Sequence, residues 1–256
     1  MIPLRTTKTR AIYLPVFLFL ISLGGCAPVF FIPSEHNHSQ YEISAEIPAD
    51  PKIEHYIAPF KDSLESVMNS VIGQSEQRLT KSGGQSETLL GNFFADALLQ
   101  EGRKHDPEIE FSFGTKGGLR IELPQGDITV GHIFELMPFE NKLVILELSA
   151  DKIEQLAQYI AASNGQPIAG MTLEISNGRA QNIQIGGQAL QKNKVYKLLT
   201  YDYLANGGDN SKGLDNPISR VDLSQKVRET LLDYIEGMTE KGQSINTQLD
   251  GRVKTQ

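Results

Sequence analysis

Apolar residues recur at three- and four-residue steps through Ile53, Tyr56, Ile57, Phe60, Leu64, Val67, Met68 and Val71, the period of an amphipathic helix. Asp50 stands at a capping position, and Pro51 suits the first turn, where its missing N–H costs nothing. The pattern stops at Ile72-Gly73. Gln74 to Thr80 reads as a short strand or extended segment, and residues 81–86, Lys-Ser-Gly-Gly-Gln-Ser, as a loop. A second helix is expected over Glu87 to Leu98, with Leu90, Phe93, Phe94, Ala97 and Leu98 on its apolar face. Two of its residues fit poorly. Gly91 costs about 1 kcal/mol against alanine, which points to close packing or to the approach of a ligand or another segment. Asp96 lies on or beside the apolar face, where a carboxylate needs a partner.

Downstream the period keeps changing. Glu110 to Phe113 reads as a strand that runs into a glycine-rich turn, Gly114 to Arg120. Thr129 can cap a short helix through Met137. Leu143 to Leu148 reads as a buried strand, and Ser149 caps a helix with Ile153, Leu156, Ala157 and Ile160 on one face, ending at Asn164-Gly165. Strand-like segments follow at 171–175, 183–185 and 196–200, and a final helix carries Val227, Leu231, Leu232 and Ile235. Helices and strands intermix with no regular βαβ rhythm and no internal repeat. The expected class is therefore α+β, one domain with a mixed sheet and packed helices.

The segment Tyr201 to Asp209 reads as a strand end breaking into a glycine-rich loop, since adjacent glycines permit sharp turns and close backbone approach. Tyr203 and Asp209 flank that turn, with Asn206 within it. A ring to stack on and an acid to accept hydroxyl hydrogens would suit a nucleoside. A surface turn with Tyr203 in the core is the simpler alternative.

The first 50 residues follow different rules. Arg5, Lys8 and Arg10 precede an apolar run from Ala11 to Leu23, too short to span a bilayer comfortably. The run ends Leu23-Gly24-Gly25-Cys26, which resembles a bacterial lipobox. Cys26 is the only cysteine in 256 residues, and acylation explains a leftover cysteine in an exported chain. The expected organisation is a lipoprotein signal peptide over 1–25, a tether over 26–50 and a domain over 51–256. Removing the first 25 residues takes the net charge from −7 to −10. An acidic domain of this kind lacks the cationic surface that nucleic acid requires, so membrane attachment would come from lipid. Ala27 rather than Asp follows the cysteine, which by the bacterial sorting pattern points to the outer membrane, with the domain facing the periplasm or the cell surface.

Short motifs follow one another in a fixed order: Glu87, Gly91-Asn92 and Ala95-Asp96 on one helix, the turn Thr115-Lys116-Gly117-Gly118-Leu119-Arg120, then Pro138-Phe139 with Asn141, then Tyr203 to Asp209, and Gly251-Arg252 at the end. In this order and spacing the chain, from about Pro51 to Val253, resembles the C-terminal, substrate-binding domain of the 5′-nucleotidase / UDP-sugar hydrolase family. The resemblance implies that Phe139 and Tyr203 sandwich a base, Asp209 holds ribose hydroxyls, Asn141 contacts the base and Arg120 reaches the substrate. Asn206 falls within the same pocket turn. This chain departs from the family pattern at Thr115 (in place of Asn), at Lys116 (in place of Gly) and at Tyr203 (in place of Phe). Lys116 either restores positive charge near a phosphate or points to solvent.

The family's hydrolytic chemistry sits on an N-terminal metallophosphatase domain that holds two metals with Asp-x-His and Gly-Asn-His segments. Neither segment occurs in this sequence. His36 and His38 lie in the tether, and His55, His105 and His132 are scattered. No metal, cofactor or catalytic residue is therefore expected on this chain. Three functions fit: the specificity half of a split enzyme whose metallophosphatase is a separate chain, a standalone nucleoside- or nucleotide-binding lipoprotein, or an interaction scaffold with a decayed pocket. In the family the segment matching the first helix joins the two domains, which favours the first.

Overall fold

The computed structural model describes residues 39–44, 46–81 and 86–255. The expected signal segment, Cys26, His36, His38 and the glycines of the 81–86 loop lie outside the described residues. Pro51–Gln256 forms one compact unit.

Helix α1 spans Pro51–Met68 and leads into strand β1, Val71–Ser75. The strand expected over 74–80 thus starts earlier and ends at Ser75, beyond which Leu79 keeps an isolated pairing with Leu123. Helix α2 covers Leu89–His105 and outruns the expected segment by a further two turns. Thr88 caps it, its hydroxyl accepting from Gly91 N at 3.1 Å. Close packing is what Gly91 provides: a Cβ there would stand 2.8 Å from Thr88 Oγ1 and 3.4 Å from Pro167 Cγ.

Strand β2 (Phe111–Phe113), β3 (Gly126–Thr129) and helix α3 (Val130–Leu136) follow. Thr129 caps α3, with its side chain accepting from His132 N. Then come β4 (Lys142–Ser149), α4 (Ala150–Ala162), β5 (Ile168–Ala169), β6 (Met171–Ser176), β7 (Arg179–Ile185), β8 (Gln188–Ala189) and β9 (Val195–Tyr201). Ser149 occupies the N-cap of α4 without a side-chain capping bond. The chain closes with a one-turn helix α5 (Asp202–Ala205), strand β10 (Ser219–Lys226), helix α6 (Val227–Glu240) and strand β11 (Val253–Thr255).

The strands form three sheets, in the orders β10-β4-β9-β2-β5, β11-β6-β7-β8 and β1-β3. The first two mix parallel and antiparallel pairs, as the α+β reading requires. Helix α2 packs on β2, β5 and β9 and against α6, while α4 packs on β7 and β4. Phe93, Phe94, Phe111, Phe113 and Tyr201 are the largest side chains of the core between them.

One detail of this topology makes a site. β2 runs parallel to β9, with Ser112 beside Leu199. β4 runs antiparallel to β9, with Leu143 beside Tyr201. The turn leaving β2, the turn leaving β9 and the segment entering β4 therefore meet at one end of the three inner strands of the five-stranded sheet.

Candidate functional site

At that end of the sheet lies a cavity of about 330 Å³. Gly117, Gly118 and Arg120 of the first turn line it, with Phe139 and Asn141 from the segment before β4, and Tyr201, Tyr203 and Asp209 from the end of β9 and the turn beyond. Three stretches spread over residues 117–209 supply one concave surface, the usual form of a small-molecule site.

The two glycines form a bare backbone wall. A Cβ on Gly118 would stand 3.2 Å from the Tyr201 hydroxyl, and one on Gly117 would stand 3.6 Å from Asp209 Oδ2. Tyr201 itself is buried at the end of β9, edge-on to Phe94. Burial pushes its hydroxyl up to about 12, so it remains a neutral hydrogen-bonding group. It takes a bond from Thr115 N at 3.4 Å and shares one with Thr115 Oγ1 at 3.3 Å.

Asp209 is held on every side. Its backbone is left-handed (φ 53°), as is that of Asn210, and Gly207 before them has φ 90°. Such a conformation costs a non-glycine residue about 1–3 kcal/mol and persists where surrounding contacts enforce it. Here Tyr203 OH donates to Oδ1 at 3.0 Å and Thr115 Oγ1 donates to Oδ2 at 2.6 Å. Asp209 N donates back to Tyr203 OH at 3.3 Å, and Tyr159 OH donates to the Asp209 carbonyl at 3.1 Å. The Tyr203 ring folds over the turn, and only glycine fits beneath it: a Cβ at Gly208 would come within 2.5 Å of the ring. Each carboxylate oxygen keeps capacity for a further donor, since an ionised carboxylate offers about four acceptor sites.

Phe139, 39% exposed, and Tyr203, 48% exposed, line the same cavity from separate segments. The backbone carrying Phe139 is clamped by the first turn of α6. Arg228, buried, donates to the carbonyls of Met137 at 3.3 Å and Phe139 at 3.4 Å, and pairs with Glu140. Its guanidinium stacks over the Phe134 ring at 4.2 Å. Val227 N donates to the Asn141 carbonyl at 2.9 Å. Lys226 and Arg228 together hold the Glu140 carboxyl down to about 2.

Of the residues expected at the site, Phe139, Tyr203, Asp209, Asn141 and Arg120 are brought together. Lys116 and Asn206 are not in the lining. Lys116 is half-buried, its Nζ donates to the Asn164 carbonyl at 3.0 Å, and burial pushes its ammonium pKa down. The Asn206 side chain accepts from Arg220 at 2.7 Å. Thr115, Tyr159 and Arg228 support the site without having been expected there. Arg228 carried a signal, since it lies three residues before Leu231 on the apolar face of its helix, the anomaly that singled out Asp96.

The remaining motif residues sit elsewhere. Glu87, buried, accepts from Asn92 Nδ2 at 2.6 Å and from Asp250 N at 2.8 Å. Arg252 donates both guanidinium arms to Asp96, at 2.7 and 3.1 Å, and also bonds Asp250 and the Ile168 carbonyl. This is the partner that Asp96 needed. The group clasps the C-terminal segment onto α2.

The sequence pattern of the family described as 5′-nucleotidase, C-terminal domain, matches residues 71–216. The chain is 26% identical over 237 residues to the trifunctional nucleotide phosphoesterase YfkN of Bacillus subtilis, covering 85% of this chain and 16% of that protein. It is 26% identical over 196 residues to UshA of Yersinia enterocolitica, covering 75% of this chain and 35% of that protein. The solved 5′-nucleotidase precursor of Thermus thermophilus shares the fold, with a TM-score of 0.69 at 22% identity over 81% of this chain and 44% of that one. The chain thus spans less than half the length of each. With the pattern matched over more than half the chain, and with the fold, the protein belongs to the 5′-nucleotidase C-terminal domain family.

Proposed function

We propose that this chain is the nucleoside- or nucleotide-gripping specificity subunit of a split 5′-nucleotidase-type hydrolase in nucleotide catabolism. The observation that carries this reading is that two half-exposed rings, Phe139 and Tyr203, line one cavity together with the Asp209 carboxylate. A base between the rings gains about 1–3 kcal/mol per stacking contact, whatever its identity. Ribose hydroxyls would donate to the free acceptor sites of Asp209, Asn141 would meet the base edge, and Arg120 would face the anionic end of a nucleotide. Membrane attachment through an acylated Cys26 would keep the subunit at the outer membrane.

The hydrolytic step is assigned to a separate metallophosphatase chain. Among the described residues no three His, Cys, Asp or Glu side chains gather as a metal-binding group, and the sequence holds neither of the two-metal segments. What this chain contributes is orientation. Fixing the nucleoside presents the phosphate in one geometry to a centre supplied from outside, the kind of positioning that lowers a barrier without chemistry of its own.

Phosphate release from AMP tests the assignment. The account expects none from this chain alone and release when a metallophosphatase chain is added. Chelator-sensitive release by the purified chain alone would refute it. Saturable nucleoside binding with no stimulation of any metallophosphatase chain would leave a standalone binding lipoprotein.

A further inference from the structure

The apolar face of α1 is unused by the domain that carries it. Ile53, Ile57, Phe60, Leu64 and Val67 follow one another at steps of four, three, four and three residues, the spacing of core positions in a heptad repeat. All are exposed, from 44% at Ile57 to 66% at Phe60. Tyr56 flanks the row at 72% exposure, its ring tilted against Phe60 at 6.0 Å. No residue of α1 is buried. The helix meets the domain at its C-terminal end, where Val130 N donates to Ser70 O at 3.0 Å and Gly131 approaches the Met68 carbonyl.

A helix in this position needs a cover. Isolated helices shorter than about 12–15 residues are marginal in water, and longer ones draw most of their stability from packing an apolar stripe. At 18 residues with Pro59 inside, α1 has little margin of its own. Its stripe is a narrow seam, the form that fits one partner helix, rather than the broad face that lies on a sheet. Pro59, Asp62 and Glu65 fall on the side away from the seam.

We propose that α1 pairs with α1 of a second copy of this chain, forming a short two-helix coiled coil. The seam is complementary to itself, as an interface with two-fold symmetry must be. Area points the same way. Specific interfaces bury roughly 1,200–2,000 Å² in total, and aromatic side chains bury about 150–250 Å² each. Two copies bring two Phe60 rings and eight aliphatic side chains to the seam, with both Tyr56 rings at its margin, and covering them all approaches the lower end of that range. Charge permits it: the helix carries two lysines against three acids, so two copies meet nearly neutral although the whole chain has net charge −7. The same balance offers no attraction to an anionic lipid surface, which basic amphipathic helices use. The inference rests on α1 alone and does not depend on what the cavity binds.

The test uses the full chain in membranes and in detergent. Leu64→Cys places a thiol on the seam, and Asp62→Cys places one on the outer face. A bifunctional thiol reagent is expected to join the first into a dimer and to leave the second a monomer. Sedimentation in density-matched detergent is expected to give a dimer for the parent chain and a monomer for Phe60→Glu with Leu64→Glu. The thermal transition of that double variant reports on the domain, and it should hold, because neither residue is in the core. A monomeric parent chain, equal cross-linking at positions 62 and 64, or a dimer that survives both glutamates would each overturn the proposal. A monomeric parent whose α1 becomes protected only on adding a metallophosphatase chain, or only on adding lipid vesicles, would do so too.

Discussion

Two sets of residues from the same ordered motifs end up in opposite situations. Glu87, Asn92, Asp96 and Arg252 satisfy one another and pin the C-terminal segment to α2. Phe139, Tyr203 and Asp209 line a cavity, with rings exposed and a carboxylate that has acceptor capacity left. A recurring motif residue is therefore not a ligand contact by default. The difference lies in where its polar atoms and apolar surface go: closed on protein in the clasp, open to a cavity at the pocket. The comparison can be broken at either end.

The largest effect is expected at the clasp. Arg252→Met leaves Asp96 and Asp250 without their cation and removes a bidentate pair in which the Arg252 side chain is 10% exposed and the Asp96 side chain 40%. Hydrogen bonds to charged groups are worth about 1.5–3 kcal/mol, so urea unfolding should show a loss in the upper part of that range, while the affinity of the folded fraction for nucleoside stays unchanged. A variant with normal stability and lost binding would move Arg252 into the site.

Phe139→Ala should do the reverse. Loss of one stacking face weakens nucleoside binding by about 1–3 kcal/mol, with stability shifted by less than about 0.5 kcal/mol, as for surface changes. Arg228 joins the two behaviours, since it is buried like the clasp and holds the loop of the pocket. Arg228→Met is expected to lower both the unfolding midpoint and the affinity. A fall in stability alone would separate Arg228 from the site.

Tyr203→Phe keeps the ring and removes the hydroxyl that bonds Asp209, a bond worth about 0.5–1.5 kcal/mol. Affinity should fall by no more than that, and by less than in Phe139→Ala. An affinity loss as large as that of Phe139→Ala would mean that the hydroxyl, not the ring, makes the wall.

The smallest effect is in pH dependence. Glu140 is held from its ordinary 4.5 down to about 2 by Lys226 and Arg228. A carboxyl lowered on folding adds stability above its unfolded value and loses it as pH falls through the folded one. Acid titration should therefore show a decline between about pH 4.5 and 2 that is shallower in Glu140→Gln and weaker in high salt, because the group is exposed.

Much of this was legible in the chain. Helices α2, α4 and α6 follow from apolar periodicity, α3 from the cap at Thr129, and β4 and β9 from their apolar runs. Strand β10 was not, because its residues are largely exposed on a sheet edge and carry no alternation strong enough to read. β5 and β8, two residues each, are too short to show a period. The apolar stripe of α1 was visible, but its exposure was not, since a period records a face and not what covers it. At the site, Phe139, Tyr203 and Asp209 could be named from order and spacing. Thr115 and Tyr159 could not, because their roles depend on the left-handed turn that brings Asp209 to their hydroxyls. Lys116 and Asn206 adjoin the pocket in sequence but turn to Asn164 and Arg220 instead.

The claim at the centre is that Phe139 and Tyr203 grip a base. Calorimetric titration of adenosine and AMP into the purified full chain tests it most directly, with Phe139→Ala and Tyr203→Ala alongside. The account predicts saturable one-site binding to the parent chain, weakened about tenfold or more in each variant, the loss of one stacking contact. No binding by the parent chain, or equal affinity in the parent and both variants, would contradict it.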